Sequence, residues 1–155
     1  MNDLITQRII YPGDNGIVAI IQPMPNCGLT VQEVANKDVP EGKPYKIVDV
    51  SEIPTDSTFR NAWEGDGEGA DLTTVAVNMD KAKDIWRDKW RVSRKPLLEG
   101  LDVEFMRAVE VKDEAVQDEI AQKKQELRDV TQTDLESVDT TDQLKSIWPD
   151  CLTQS

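Results

Sequence analysis

The chain contains no histidine. That removes the commonest general base, the commonest metal ligand and the side chain that titrates near neutrality. Ser-His-Asp, Cys-His and His-Glu-x-x-His chemistries are excluded outright. Cysteine occurs twice, at Cys27 and Cys151, with no Cys-x-x-Cys spacing, so neither a zinc site nor a redox pair is expected. The plain reading is two free thiols; a single disulfide joining the N-terminal lobe to the C-terminus is the rarer alternative. Long apolar runs are missing as well. The longest, Ile17 to Ile21, is far too short to span a bilayer, and the N-terminus lacks a basic leader with an apolar run behind it. The expectation is a soluble protein that no recognisable signal exports. Cations are scarce too: 18 basic residues stand against 30 acids, a net charge of −12. A chain with so few cations displaces few counterions from phosphate, so nucleic acid and anionic membrane are not the expected partners. No cofactor or metal is expected.

What is present organises into two parts. The length of 155 residues suits one domain, or one with an appendage, and a hydrophobic content of 38% implies a modest core. "QRIIYPGDNGIVAIIQP" sets two β-branched runs around the turn formers Pro12 to Gly16, a hairpin with strands at 7–11 and 17–22. The second run is continuous rather than alternating and is expected to be the better-buried strand. Thr30 followed by Glu33 is a capping-box pattern, predicting a helix over 31–37 that ends before Pro40. Tyr45, Ile47, Val48 and Val50 suggest a third strand between Pro44 and Pro54. "TDSTFRNAWE" then reads as a helical turn capped by Thr55, Asp56 or Ser57, with Phe59 and Trp63 on one face.

The stretch "EGDGEGAD", Glu64 to Asp71, has nothing to pack and reads as a loop or linker. Asp66, Glu68 and Asp71 weakly resemble a calcium loop but lack its alternating ligands and terminal glutamate, so a solvated acidic loop is preferred. Leu72, Val75 and Val77 alternate as in a short strand, pairing with the N-terminal sheet or leading into the next helix. From Asp80 the period becomes helical. Helices are predicted at 80–94 and 96–110, interrupted at Pro96 and Gly100 or joined as one bent helix. A third helical segment within 111–132 carries a narrow stripe of Ala115 or Val116, Ile120, Leu127 and Val130, and should fold back as a helical hairpin. Near the C-terminus Thr140 or Thr141 caps a short helix with Leu144, Ile147 and Trp148, stopped by Pro149.

The fold class expected is α+β: a small N-terminal antiparallel sheet module with one or two short helices at 1–63, an acidic glycine-rich loop and short strand at 64–79, a helical hairpin at 80–131, and a short capped helix and tail at 132–155. Between Lys81 and Lys95 seven basic residues stand against two acids, the one basic concentration in an acidic chain. Apolar spacing places Trp86 and Trp90 on the core side. Arg87, Arg91 and Arg94 form the opposite, partner-facing side, and tryptophan beside arginine is the composition of interface hot spots. The candidate partner-binding residues are therefore Trp86, Arg87, Trp90, Arg91, Arg94 and Trp148. Charge reversal at the three arginines is expected to weaken association and spare the fold. Two tryptophans and several leucines are also more than a two-helix hairpin readily buries, so self-association is a further option.

The run "RDKWRVSRKPLLEGLDVEFMRA", then "AQKKQELRDVT", then "SIWP" carries a family likeness. It resembles small tail-associated proteins of tailed bacteriophages, and in particular the helical C-terminal segment of tail (fibre) assembly chaperones. The matching positions are Arg91, Arg94, Leu97 and Leu98, then Leu127, Arg128 and Asp129, then Trp148 and Pro149; the likeness covers roughly 81–150, and 7–63 only loosely. The chain departs from the pattern where "GLDVEFMRA" stands in place of an inter-helix loop with tryptophan. The resemblance implies a non-enzymatic role: binding a tail or tail-fibre protein, as a minor virion component or a chaperone, in the virion tail or in the host cytoplasm during assembly. It carries over no catalytic residue. The alternative kept open is a small acidic cytosolic regulator of a basic host or phage protein. An enzyme working through paired carboxylates is the third reading, and no motif supports it.

Overall fold

The computed structural model describes residues 3–65 and 75–152. Asp66, Glu68 and Asp71 of the acidic loop, and Leu72 of the alternating run, lie outside them. The fold is α+β, a three-stranded antiparallel sheet followed by long helices. The chain divides into two compact units, Met1–Asn78 and Met79–Ser155.

In the first unit a single helical turn, α1 (Asp3–Thr6), leads into β1 (Gln7–Pro12), β2 (Val18–Ile21) and β3 (Lys46–Asp49). The strand order is β2-β1-β3, so β1 is central. Adjacent residues of a strand point to opposite faces, and both Ile9 and Ile10 are wholly buried. Ile9 packs with Leu4 and with Val31, Val34 and Ala35 of helix α2 (Val31–Asp38). Ile10 packs on the other side with Val18, Val48, Trp63 and Val75. The continuous run of β2 is thus not the better-buried strand. It lies at the sheet edge and is mostly half-buried, while two-sided cover falls on its neighbour.

The hairpin turn is built as its residues demand. Gly13 donates its N–H to the Ile17 carbonyl at 2.8 Å, closing a short 3-10 turn, Asp14–Gly16. A Cβ on Gly13 would stand 2.5 Å from that same carbonyl oxygen, so no other residue fits there unshifted. Gly16 leaves the turn at φ +76°, the left-handed region where glycine meets no penalty.

The capping box expected at α2 is present. The Glu33 N–H donates to Thr30 Oγ1 at 3.2 Å, and the Thr30 N–H donates to Glu33 Oε2 at 2.7 Å. A second box opens the turn Val50–Glu52, with Asp49 accepting from the Ser51 N–H and Glu52 from the Asp49 N–H. That box ends β3 at Asp49, one residue short of Val50 in the sequence reading. Asp56 caps the 3-10 segment Ser57–Ala62, which buries Phe59 and Ala62. Trp63 does not extend this turn, as its spacing from Phe59 had suggested. It starts β4 (Trp63–Gly65), antiparallel to β5 (Val75–Val77), and these two strands form a sheet of their own. Val75 and Val77 therefore pair with β4 rather than with the N-terminal sheet. β-Branched and aromatic side chains facing each other across the pair, Trp63 opposite Val77, outweigh the weak helical spacing.

The second unit is helical. Residues 79–110 form one helix, α3 (Met79–Glu110), with Pro96 inside it, so of the two readings of this stretch the single helix is observed. Proline has no N–H to give the carbonyl four residues back. Here Pro96 and Val92 are both exposed, so water can serve the Val92 carbonyl and the interruption is weak. The helix ends in a Schellman motif: the Asp113 N–H donates to the Ala108 carbonyl at 2.9 Å and the Lys112 N–H to the Val109 carbonyl at 3.1 Å. Lys112 occupies the left-handed position at φ +57°, where glycine is usual. Asp113 then accepts from the Val116 N–H at 3.1 Å and caps α4 (Glu114–Asp129). One residue thus closes one helix and opens the next, which makes the hairpin tight.

The tail is part of this unit's core. Leu135, Val138, Leu144 and Leu152 are buried. Thr140 caps α5 (Thr141–Ser146), and both α5 and a 3-10 turn at Asp150–Leu152 pack on α3. Leu135 and Val138 lie in a stretch without periodicity, and for that reason the sequence reading passed over them.

Candidate interaction surface

The residues singled out on α3 separate by depth. Trp90 is 0% exposed, and its indole N–H has no partner among the described residues. Trp86 is buried, donates its indole N–H to the Ile147 carbonyl at 2.9 Å, and meets Trp148 edge to face with centroids 5.5 Å apart. These three tryptophans are interior or half-buried anchors. The short helix ends at Ser146 and the backbone turns extended at Ile147, so Ile147 and Trp148, expected inside the helix and stopped only by Pro149, lie beyond it, where Trp148 rests on Trp86.

The arginines differ among themselves. Arg87 pairs with Asp84 at 3.4 Å and Arg91 with Asp88, both one helical turn apart. Such pairs on a solvated face are worth about 0.3–0.5 kcal/mol. Arg94 turns inward instead. Its Nη1 donates to the Arg128 carbonyl at 2.9 Å and to the Leu127 carbonyl at 3.4 Å, satisfying acceptors at the end of α4. The outward basic face of α3 therefore consists of Arg87, Arg91 and neighbouring lysines, without Arg94.

A second feature lies farther along the hairpin. Two adjoining hollows of about 330 and 400 Å³ run between α3 and α4 and share Glu104 and Lys123. The first is lined by Leu97, Gly100 and Leu101 from α3, Leu127 from α4, and Cys151. Burial pushes the Cys151 thiol above its ordinary value, while Cys27 is exposed; both are free. The second has Ala108 and Ile120 in its floor and Val111 and Val116 at its mouth, with Arg107 and Glu119 beside them. Val111 is 75% exposed, unusual for a β-branched apolar residue beside a hydrophobic floor. Lys123 pairs with Glu119 at 2.9 Å, which pushes the ammonium's pKa up. Lys124 on the flank pairs with Asp102 and lies 5.6 Å over the Phe105 ring.

Sequence reasoning missed this groove. Its signal was present in the turn-to-turn spacing of Glu104, Arg107 and Val111 on one helix and of Val116, Glu119 and Lys123 on the other. Reading each helix for its core stripe hides residues flanking the stripe, and these form a surface only once the two helices lie side by side.

Among the described residues no polar or charged residue is fully buried and no group of three or more acids or cysteines could hold a metal ion. No described helix is long and apolar enough to cross a membrane. What the hairpin offers is apolar contact framed by charge of both signs. Compared with models of known families, with curated proteins and with solved structures, the chain matches none.

Proposed function

We propose that this chain is a non-enzymatic protein of a tailed bacteriophage, acting by protein–protein contact. It binds a tail or tail-fibre protein, either as a minor component of the virion tail or as a chaperone present in the host cytoplasm during assembly. The tail assignment rests on the sequence likeness across 81–150. The observation that supports a contact role is the open groove of the α3–α4 hairpin, an apolar floor with exposed valines at its mouth and paired charges on its rim. The basic outer face of α3 is a second contact surface, suited to an acidic partner.

Mass spectrometry of purified virions separates the two forms. Stoichiometric presence in the particle means a structural component. Absence, with co-purification of a fibre protein from lysate, means a chaperone. Assembled tails and normal host adsorption after deletion of the gene would reject the proposal. The net charge of −12 favours one other reading, a regulator that holds a basic protein on its acidic surface.

A further inference from the structure

We propose that the α3–α4 groove is the face of a weak, two-fold symmetric dimer of this chain, in which two hairpins close into a four-helix bundle. The proposal does not rest on the tail reading, and it gives the groove to a second copy, which leaves the basic outer face of α3 for a tail protein.

A two-helix layer covers one face of each helix and leaves the groove between them open; packing a second such layer on it is the usual completion. Of the charges lining the hollows, Asp113 caps α4 and Glu126 lies toward its far end; the four between them point to a second copy as that layer. On α3 the exposed pair is Glu104 and Arg107, three residues apart and opposite in sign. A two-fold axis crossing the helix between them sets Glu104 against Arg107 of the second copy and Arg107 against its Glu104. On α4 the exposed pair is Glu119 and Lys123, again opposite in sign. The same axis sets Glu119 against the second copy's Lys123 and the reverse.

The two pairs stand at one level of the hairpin, because Glu104 and Lys123 line both hollows together. One axis therefore serves both helices. An isologous interface needs this self-complementarity, residue i meeting j while j meets i. An unrelated partner would not require it. Val111 and Val116 then gain apolar cover, and Gly100, whose Cβ direction opens on free space, allows close approach at the other end.

The size of the face sets the strength. From Leu97 to Glu110 α3 runs about 20 Å, and two packed helices are about 20 Å wide, giving on the order of 400 Å² per chain. Specific stable interfaces bury about 800 Å² per partner. The dimer is therefore reversible and concentration-dependent.

Sedimentation equilibrium of the full chain tests this. The expected result is a monomer–dimer equilibrium weakened at least tenfold by Arg107→Glu and by Glu104→Arg, each of which sets like charges face to face. The double variant Glu104→Arg/Arg107→Glu restores it, since the swapped pair is again self-complementary; Lys37→Glu, on α2, leaves it unchanged. A second readout needs no variant. Alkylation of Cys151 slows relative to Cys27 as protein concentration rises, because the second copy covers the first hollow. A monomer at the highest soluble concentration overturns the proposal. So does a dimer indifferent to both single reversals, or a double variant no better than the singles. Occupation of the groove by a tail protein, with the free chain monomeric, overturns it equally.

Discussion

At the scale of single residues, the clearest lesson is that similar residues on one helix do different work. Trp90 is wholly enclosed, so Trp90→Ala removes contacts and leaves a void; the expected loss is about 3–5 kcal/mol, read from urea unfolding. The arginines, alike in sequence, are not alike in structure. Arg94→Ala strips the last carbonyls of α4 of their donor and should cost about 1–2 kcal/mol. Arg87→Ala and Arg91→Ala should each stay within about 0.5 kcal/mol in the same titration, because their pairs are solvent-screened. The expectation that reversing all three spares the fold is therefore kept for Arg87 and Arg91 and given up for Arg94. The residue type alone did not distinguish them, since the carbonyls that Arg94 reaches lie 33 and 34 positions away in sequence.

At the scale of elements, caps and turns carry the stability that a small core does not. Lys112 sits in the left-handed region, which costs an L-residue roughly 1 kcal/mol. Lys112→Gly is expected to raise stability by about that amount in denaturant titration, offset in part by glycine's greater freedom in the unfolded chain. The two N-terminal boxes give the pH dependence. The Thr30 N–H and hydroxyl hold the Glu33 carboxyl below its ordinary range, and the Ser51 N–H and hydroxyl do the same for Asp49. A carboxyl depressed in the folded state contributes stability that is fully present above its unfolded pKa and is lost as pH falls through the folded value. The advantage of the natural chain over Glu33→Gln should thus persist near neutrality and shrink below about pH 4. Urea titrations between neutral and acid pH check it; an advantage constant across that range would contradict the assignment.

At the scale of the whole molecule, charge governs association. A net −12 repels anionic partners and favours basic ones. If the regulator reading holds, affinity for a basic partner should fall steeply as salt rises past the range where the Debye length is about 10 Å. Binding through the apolar floor of the groove should fall far less, so a pull-down series in salt separates the two. Nothing in the sum of charges suggests the local balance at the hairpin. There the pairs Glu104 with Arg107 and Glu119 with Lys123 neutralise one another within a strongly acidic chain.

Much of the fold was legible from local chemistry. The glycines and proline around Asp14, the Thr30–Glu33 box, the change to a helical period at Asp80 and the threonine cap at 140 each act within four residues, so sequence by itself determined the hairpin, α2, the long helices and the α+β class. Tertiary structure decided whatever depends on neighbours far along the chain. It made β1 rather than β2 the buried strand, because most of the cover on its two faces comes from segments more than 20 residues away. It paired Trp63–Gly65 with Val75–Val77, because a strand without a partner gains nothing from its alternation. It drew Leu135 and Val138 into the interior and turned Arg94 inward onto α4. The groove belongs to this second class: its residues flank two separate apolar stripes, and they become one surface only where the tight turn at Lys112 and Asp113 lays α4 alongside α3.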